Sequence, residues 1–235
     1  MSDIVIIGGH GRVSLLTIPL LVADGNTVTA VVRDPRHIDD VETAGATGRV
    51  ADIETMSTDD IVGLLRPFDT VIWSAGAGGG DPERTRAVDE NAAIRTMNAA
   101  EEAHTDRFIM VSWSGSYPDH GIPDDDPFHF YADAKARADA HLRHSTLDWT
   151  VLGPSTLTDG DRDGISLIPE DRGRTDSTSV PRQAVASVIA AAVECPRSAG
   201  HTLRFNRGDA APSDVLRELS LNLSTALDSH GSGFE

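Results

Sequence analysis

The sequence predicts an α/β fold: a doubly wound parallel sheet in a three-layer α/β/α arrangement, built as a single domain. Short β-branched runs alternate with longer helical windows over the first two thirds of the chain. The strand candidates are continuous apolar runs, which is typical of strands covered on both faces. Strand and helix alternating at this spacing predict parallel strands joined by right-handed crossovers. At 235 residues the chain can bury a core large enough for one domain.

The predicted elements follow one another in regular order. The strands cover Ile4–Ile7, Val28–Val32, Gly48–Ala51, Thr70–Trp73, Phe108–Val111 and Trp149–Leu152. The helices between them cover Val13–Ala23, Thr58–Leu65, Glu83–Ala103 and Phe128–Arg143.

The pattern changes after residue 152. Residues 153–179 are rich in Gly, Asp, Pro, Ser and Thr, and they predict a long loop that lines a substrate site. A helix at Arg182–Val193, a strand at Thr202–Phe205 and a helix at Ser213–Leu227 follow. We therefore expect the domain to span residues 1–228 and residues 229–235 to form a flexible tail.

The composition excludes several classes of partner. With 20 basic and 37 acidic residues the net charge is −17, and such a surface repels nucleic acid. The apolar runs, such as Val185–Val193, are far shorter than the ~20 residues that span a bilayer. No metal-binding motif such as His-Glu-x-x-His is present. We expect a cytoplasmic protein with a small-molecule substrate; the oligomeric state stays open.

A glycine-rich turn follows the first strand. Gly8 and Gly11 precede a helix that opens with Arg12 and Val13. Glycine at these positions lets the backbone approach a diphosphate, which binds the free N–H groups and the positive dipole end of the helix. The position of the turn, between the first strand and an amphipathic helix, favours a dinucleotide site over an ordinary tight turn.

The end of the second strand predicts which dinucleotide binds. Arg33 stands where a planar guanidinium would clamp a 2′-phosphate, and Arg12 can add a second positive charge. The sequence therefore predicts NADP. NAD remains possible, because Asp34 can instead accept hydrogen bonds from the ribose hydroxyls.

Two further strand ends fall where a dinucleotide would pass. Asp52 and Ile53 follow the third strand and are candidates for contacting adenine. Ser74, Ala75 and Gly76 follow the fourth strand, where small residues let the nicotinamide ribose come close. Simple turn chemistry is the alternative explanation for both segments.

Tyr131 and Lys135 are the candidate catalytic pair. Lys135 is the only lysine in the chain, and its spacing of four residues from Tyr131 places both on one helical face. A neighbouring ammonium is expected to lower the pKa of the phenol, which can then exchange a proton with a carbonyl oxygen. A hydroxyl at the preceding strand end would bind the same oxygen: Ser114 first, then Ser112. The alternative is an unremarkable pair on a solvated helix.

Together these motifs resemble the short-chain dehydrogenase/reductase superfamily, in its atypical and extended branch of NAD(P)-binding, epimerase/dehydratase-like proteins. The resemblance covers nearly the whole chain and implies a Rossmann-like fold with the substrate above the cofactor. It places cofactor contacts on Gly8, Gly11, Arg12, Val13, Arg33, Asp52, Ile53, Ser74, Ala75, Gly76, Lys135, Pro154 and Ser155.

The chain departs from the family pattern at three positions. Ser14 replaces the third glycine, Gly153 replaces the usual arginine before Pro154, and Asp89 is nearest to the family's helix asparagine. The resemblance implies an NADP(H)-dependent oxidoreductase or epimerase-type enzyme acting on a small carbonyl or hydroxyl compound. The alternative is a non-enzymatic NAD(P)(H)-binding sensor or regulator, whose residues 153–179 would contact a partner.

Overall fold

A computed structural model describes residues 1–78, 81–161, 163–169 and 179–219 of the chain. The strands are β1 Asp3–Ile7, β2 Thr27–Val32, β3 Thr47–Val50, β4 Thr70–Trp73, β5 Arg107–Val111, β6 Asp148–Pro154, β7 Thr156–Thr158, β8 Ile165–Leu167, β9 Ser179–Pro181 and β10 His201–Arg207. The α-helices are α1 Arg12–Ala23, α2 Ile38–Thr43, α3 Thr58–Leu65, α4 Pro82–Thr85, α5 Ala93–Ala103, α6 His129–His144 and α7 Arg182–Glu194.

Eight of these strands form one sheet in the order β3-β2-β1-β4-β5-β6-β10-β8. All neighbours pair in parallel except β8, which runs antiparallel to β10. The strand order reverses between β1 and β4, and ligands of such folds bind in the crevice outside the carboxyl ends of the strands at this point. The predicted doubly wound, Rossmann-like parallel sheet is confirmed.

Side chains of the sheet alternate between two apolar layers. On one face Ile4 and Ile6 pack with α1 and α7, and on the other Val5 and Ile7 pack with α3 and α5. All four side chains are buried. Burial of this kind contributes about 1.5–3 kcal/mol for each aliphatic side chain, so the two layers hold the strand ends in fixed positions.

The structure corrects several predicted boundaries. The helix predicted over Glu83–Ala103 is divided into α4, a π-helical turn at Arg86–Ala92 and α5. Part of the predicted loop 153–179 is strand, because Ile165 is buried at the sheet edge where β8 pairs with β10.

The chain beyond α7 is described only in part. The last predicted helix is described as helical over residues 212–219, and its remainder and the predicted tail lie outside the described residues. Among the helices that the structure describes, none is long and apolar enough to cross a membrane.

Candidate active site

Two adjoining cavities open above the carboxyl ends of β1, β2 and β4. The smaller, of about 600 Å³, extends over β2 and β3, and the larger, of about 790 Å³, extends toward α6. Both are lined by Gly11 and by Ser74, Ala75 and Gly76, so they form one cleft across the point where the strand order reverses.

The glycine turn between β1 and α1 is shaped by packing against the next strand. Gly8 has φ +87°, and a Cβ there would lie 2.7 Å from the backbone of Ala75. The backbone segment that follows β4 therefore excludes a side chain at this position, and the predicted approach of a diphosphate here stays a prediction. Ser14, which stands in place of the third glycine, donates a hydrogen bond from Oγ to the Gly8 carbonyl at 2.9 Å.

The first turn of α1 offers a binding place for an anion. Gly11 is the N-cap residue and provides no side-chain cap, and the first turn carries no acidic residue. The helical hydrogen bonds begin where Leu15 N donates to Gly11 O, so the N–H groups of Arg12 and Val13 lie outside the ladder. Arg12 and Val13 line the larger cavity. These donors and the helix dipole fit the diphosphate of a dinucleotide.

Arg33 and Asp34 differ in how they are engaged at the end of β2. The Asp34 carboxylate accepts hydrogen bonds from the side chain and backbone N–H of Arg36, and these bonds hold its pKa well below the ordinary range. Arg33 lines the smaller cavity, and its side chain is 58% exposed. A single Glu54 oxygen lies 3.7 Å from Arg33 Nη1 and 3.6 Å from Arg84 Nε. Arg33 is thus the group at this strand end that can turn toward a phosphate.

The other predicted cofactor contacts divide into two groups. Asp52 and Ile53 line the smaller cavity, and Asp52 also accepts a hydrogen bond from Glu54 N at 3.2 Å, as in an ordinary turn. Pro154 and Ser155 line neither of the two cavities. Pro154 O accepts from Ser114 N, and Ser155 N donates to Phe205 O, so their backbones join neighbouring segments.

Lys135 is a buried residue of the larger cavity's wall, and its charge acts on two acidic residues. It is 1% exposed, and its Nζ donates to the Val111 carbonyl at 2.8 Å. Asp89, on the π-helical turn, and Asp139, four residues after Lys135 on α6, are also buried. Burial raises the pKa of both carboxyls, and the Lys135 charge opposes that rise without reversing it.

Tyr131 lines the larger cavity, and its pKa is shifted in the direction opposite to the expected one. Burial raises the pKa of the phenol, and the charges of Asp89 and Asp139 raise it further. The expectation that Lys135 lowers this pKa is therefore wrong, because the ammonium binds Val111 O and two carboxyls offset its charge. The phenol keeps its proton at neutral pH, and its raised pKa makes it a weaker acid than a free tyrosine.

The structure places Ser112 in the cavity, and not the preferred Ser114. Ser112 lines the larger cavity, and its Oγ donates to Asp139 Oδ2 at 2.6 Å. Ser116 donates to the same oxygen at 2.6 Å. Ser114 is absent from the described lining, and its carbonyl accepts from Arg204 Nε at 3.1 Å.

Sequence reasoning missed Asp139 and Arg204. The spacing of four residues from Tyr131 to Lys135 continues to Asp139, and this repeat was the available signal. Arg204 pairs in register with Gly153, where a Cβ would lie 3.1 Å from Arg204 Cγ. Its guanidinium donates to Ser116 O at 3.2 Å and lies 3.9 Å from the ring centre of Tyr117. Arg204 of β10 therefore packs over Gly153, the position at which the family pattern has an arginine.

Comparison with known proteins places the chain in a family. A family model described as NAD(P)H-binding matches residues 8–196. The chain belongs to the NAD(P)H-binding family. The predicted resemblance to NAD(P)-binding proteins of the atypical short-chain dehydrogenase/reductase kind is thereby confirmed.

Individual proteins also match over most of the chain. UPF0659 protein C216.03 of Schizosaccharomyces pombe is 36% identical over 68% of this chain and 72% of its own length. The uncharacterized sugar epimerase YhfK of Bacillus subtilis is 26% identical over 91% of this chain and 98% of its own length. A putative NAD-dependent epimerase/dehydratase from Bacillus halodurans, solved as a structure, is 27% identical and covers 93% of this chain and 100% of its own, with a TM-score of 0.84.

Arg204→Met is expected to lower the free energy of unfolding by about 1.5–3 kcal/mol. The substitution keeps much of the apolar stem but removes the hydrogen bonds to Ser114 O and Ser116 O, which are made by a buried charged group. Urea denaturation measures the change. The control, Arg217→Met, removes an exposed ion pair with Asp214 and is expected to cost less than about 1 kcal/mol. Equal losses in the two variants would contradict this role of Arg204.

Asp139→Asn is expected to change how stability depends on pH. The folded-state pKa of Asp139 is raised, so its stabilising contribution is complete below the unfolded pKa near 3.9 and is lost as pH rises through the folded value. The wild-type protein should therefore lose stability relative to Asp139→Asn between about pH 4 and the raised folded pKa. Urea denaturation over a pH series tests this, with Asp214→Asn, at an exposed site, as the control. A difference independent of pH would count against the shift.

Proposed function

We propose that the chain is an NADP(H)-dependent oxidoreductase that reduces the carbonyl group of a small molecule, with Tyr131 as the proton donor. The observation that carries the proposal is the position of Tyr131 in the wall of the larger cavity, which adjoins the glycine turn. The epimerase and epimerase/dehydratase named among the similar proteins support an enzyme over a binding protein.

The cleft offers groups suited to each part of the cofactor. The N-terminus of α1, with Arg12, would hold the diphosphate. Asp52 and Ile53 would contact adenine, and Arg33 would hold the 2′-phosphate through paired hydrogen bonds. The engagement of Asp34 by Arg36 supports NADP over NAD, because it leaves that carboxylate less available to the ribose.

The residues of the larger cavity divide the acid–base work. When bound, the reduced dinucleotide supplies a hydride to the carbonyl carbon. The Tyr131 hydroxyl donates its proton to the carbonyl oxygen, so that one hydride and one proton convert C=O to CH–OH. To bind the same oxygen, Ser112 would turn its hydroxyl proton from Asp139 Oδ2 to the substrate. Lys135 would turn toward the ribose from its position on Val111 O.

Arg33→Gln is expected to weaken NADPH binding by about tenfold or more, because a charge-assisted contact is worth about 1.5–3 kcal/mol. NADH lacks the 2′-phosphate, so its affinity should change less than about twofold. Fluorescence titration with each dinucleotide measures both constants. Arg66→Gln, on an exposed arginine at the end of α3, is the control. A parallel loss of NADPH and NADH affinity would refute the assignment of Arg33 to the phosphate.

Tyr131→Phe is expected to reduce kcat for NADPH-dependent carbonyl reduction by about 10²–10⁴-fold, since general acid catalysis contributes this much. NADPH affinity should be preserved. Turnover against a panel of aldehydes and ketones measures the loss, with Tyr117→Phe as the control because Tyr117 packs on Arg204 instead. Activity retained in Tyr131→Phe would remove the mechanism. If the wild-type protein bound NADPH tightly but reduced none of the carbonyl compounds, the alternative of a non-enzymatic NAD(P)(H)-binding sensor would be favoured.

A further inference from the structure

Two phenylalanine rings at the larger cavity are unusually exposed. Phe128 is 41% and Phe130 is 50% exposed, and both line the cavity next to Tyr131. They are two of five large hydrophobic side chains exposed in the described part of the chain, whose aromatic content is only 5%. Exposed apolar rings gathered at a cavity are typical of a surface that a ligand covers. We call Phe128, Phe130 and Tyr131 the aromatic wall.

Much of the aromatic wall is held in place before any ligand arrives. The Phe128 ring lies 5.0 Å from that of Tyr131 at a tilt of 45°. On its other side Phe128 meets Trp113 edge-on, also at 5.0 Å and at 87°. Trp113 fits there because Gly115 has no side chain: a Cβ would lie 2.1 Å from the indole ring. A wall fixed in this way binds a rigid, flat partner at low cost in conformational entropy.

The polar groups deeper in the cavity already have partners. Asp89 accepts a hydrogen bond from Ala77 N, Ser112 donates to Asp139, and Lys135 donates to Val111 O. A ligand with several hydroxyl groups would have to break these hydrogen bonds in order to form hydrogen bonds with the same polar groups. Ring contacts with the aromatic wall involve no such exchange.

We propose that the aromatic wall selects a planar conjugated carbonyl compound as substrate, of the aromatic aldehyde class. The inference rests on the proposed function and specifies its substrate. The ring lies against Phe128 and Phe130 in offset or edge-to-face contact, and the carbonyl oxygen faces Tyr131 and Ser112. In its reduction a hydride from NADPH forms the new C–H bond and Tyr131 supplies the O–H proton, so aldehyde, NADPH and H⁺ give alcohol and NADP⁺.

The test is calorimetric titration of 2-naphthaldehyde into the full chain, with and without saturating NADP⁺. Cyclohexanecarbaldehyde, which is apolar but not planar, and UDP-glucose, a sugar nucleotide, are the comparison ligands. We expect 2-naphthaldehyde to bind the most tightly of the three. Phe130→Ala should weaken its binding about threefold to tenfold. The same variant should leave the NADP⁺ affinity unchanged, and this also verifies that it folds.

Val22→Ala is the matched control, because Val22 is an exposed apolar residue of α1 outside the cavity lining. Equal or tighter binding of cyclohexanecarbaldehyde or UDP-glucose would overturn the inference, as would a Phe130→Ala variant with unchanged affinity for 2-naphthaldehyde. Failure to bind NADP⁺ would instead overturn the proposed function. Because 2-naphthaldehyde is also titrated without the dinucleotide, the aromatic wall is tested in either case.

Discussion

The buried charges around Lys135 are the constraint on which the chemistry of the cavity depends. One ammonium is enclosed by α6, β5 and the π-helical turn, and two acidic side chains lie near it in the same interior. Burial in low-dielectric surroundings disfavours the ionised carboxylates, and the charges of Lys135, of Arg143 near Asp139 and of Arg84 near Asp89 offset this cost only in part. This cost raises the pKa of both carboxyls, and burial together with the two acidic residues raises the pKa of the neighbouring Tyr131 phenol.

This arrangement gives Lys135 a role different from the one usually inferred for a lysine next to a tyrosine. Its charge is used to accommodate buried acids and to hold the end of β5 through Val111 O.

The fold was predictable because it depends on which side chains are buried, and the spacing of apolar residues within each strand and helix indicates these. The positions of the glycine turn and of Arg33 at the ends of β1 and β2 were predictable for a related reason, since the pattern determines where each strand ends. The direction of the Tyr131 pKa shift was not, because it depends first on burial by the folded chain and then on Asp89, a residue more than forty positions away that the topology brings close. The placement of Ser112 in the cavity instead of Ser114 likewise depends on Asp139 and Arg204, which lie on other elements.

Because Asp89 lies in the π-helical turn at Arg86–Ala92, its position depends on the number of residues in this segment as well as on their types. A π turn accommodates one more residue than the α-helix around it, so the residues on its two sides are rotated out of a common helical phase. Removing a single residue would restore a regular helix and would swing the carboxyl away from Gly76, whose missing Cβ makes room for it. Homologous chains that differ here by one insertion or deletion would carry a differently charged interior, even where every side chain of the cleft is identical.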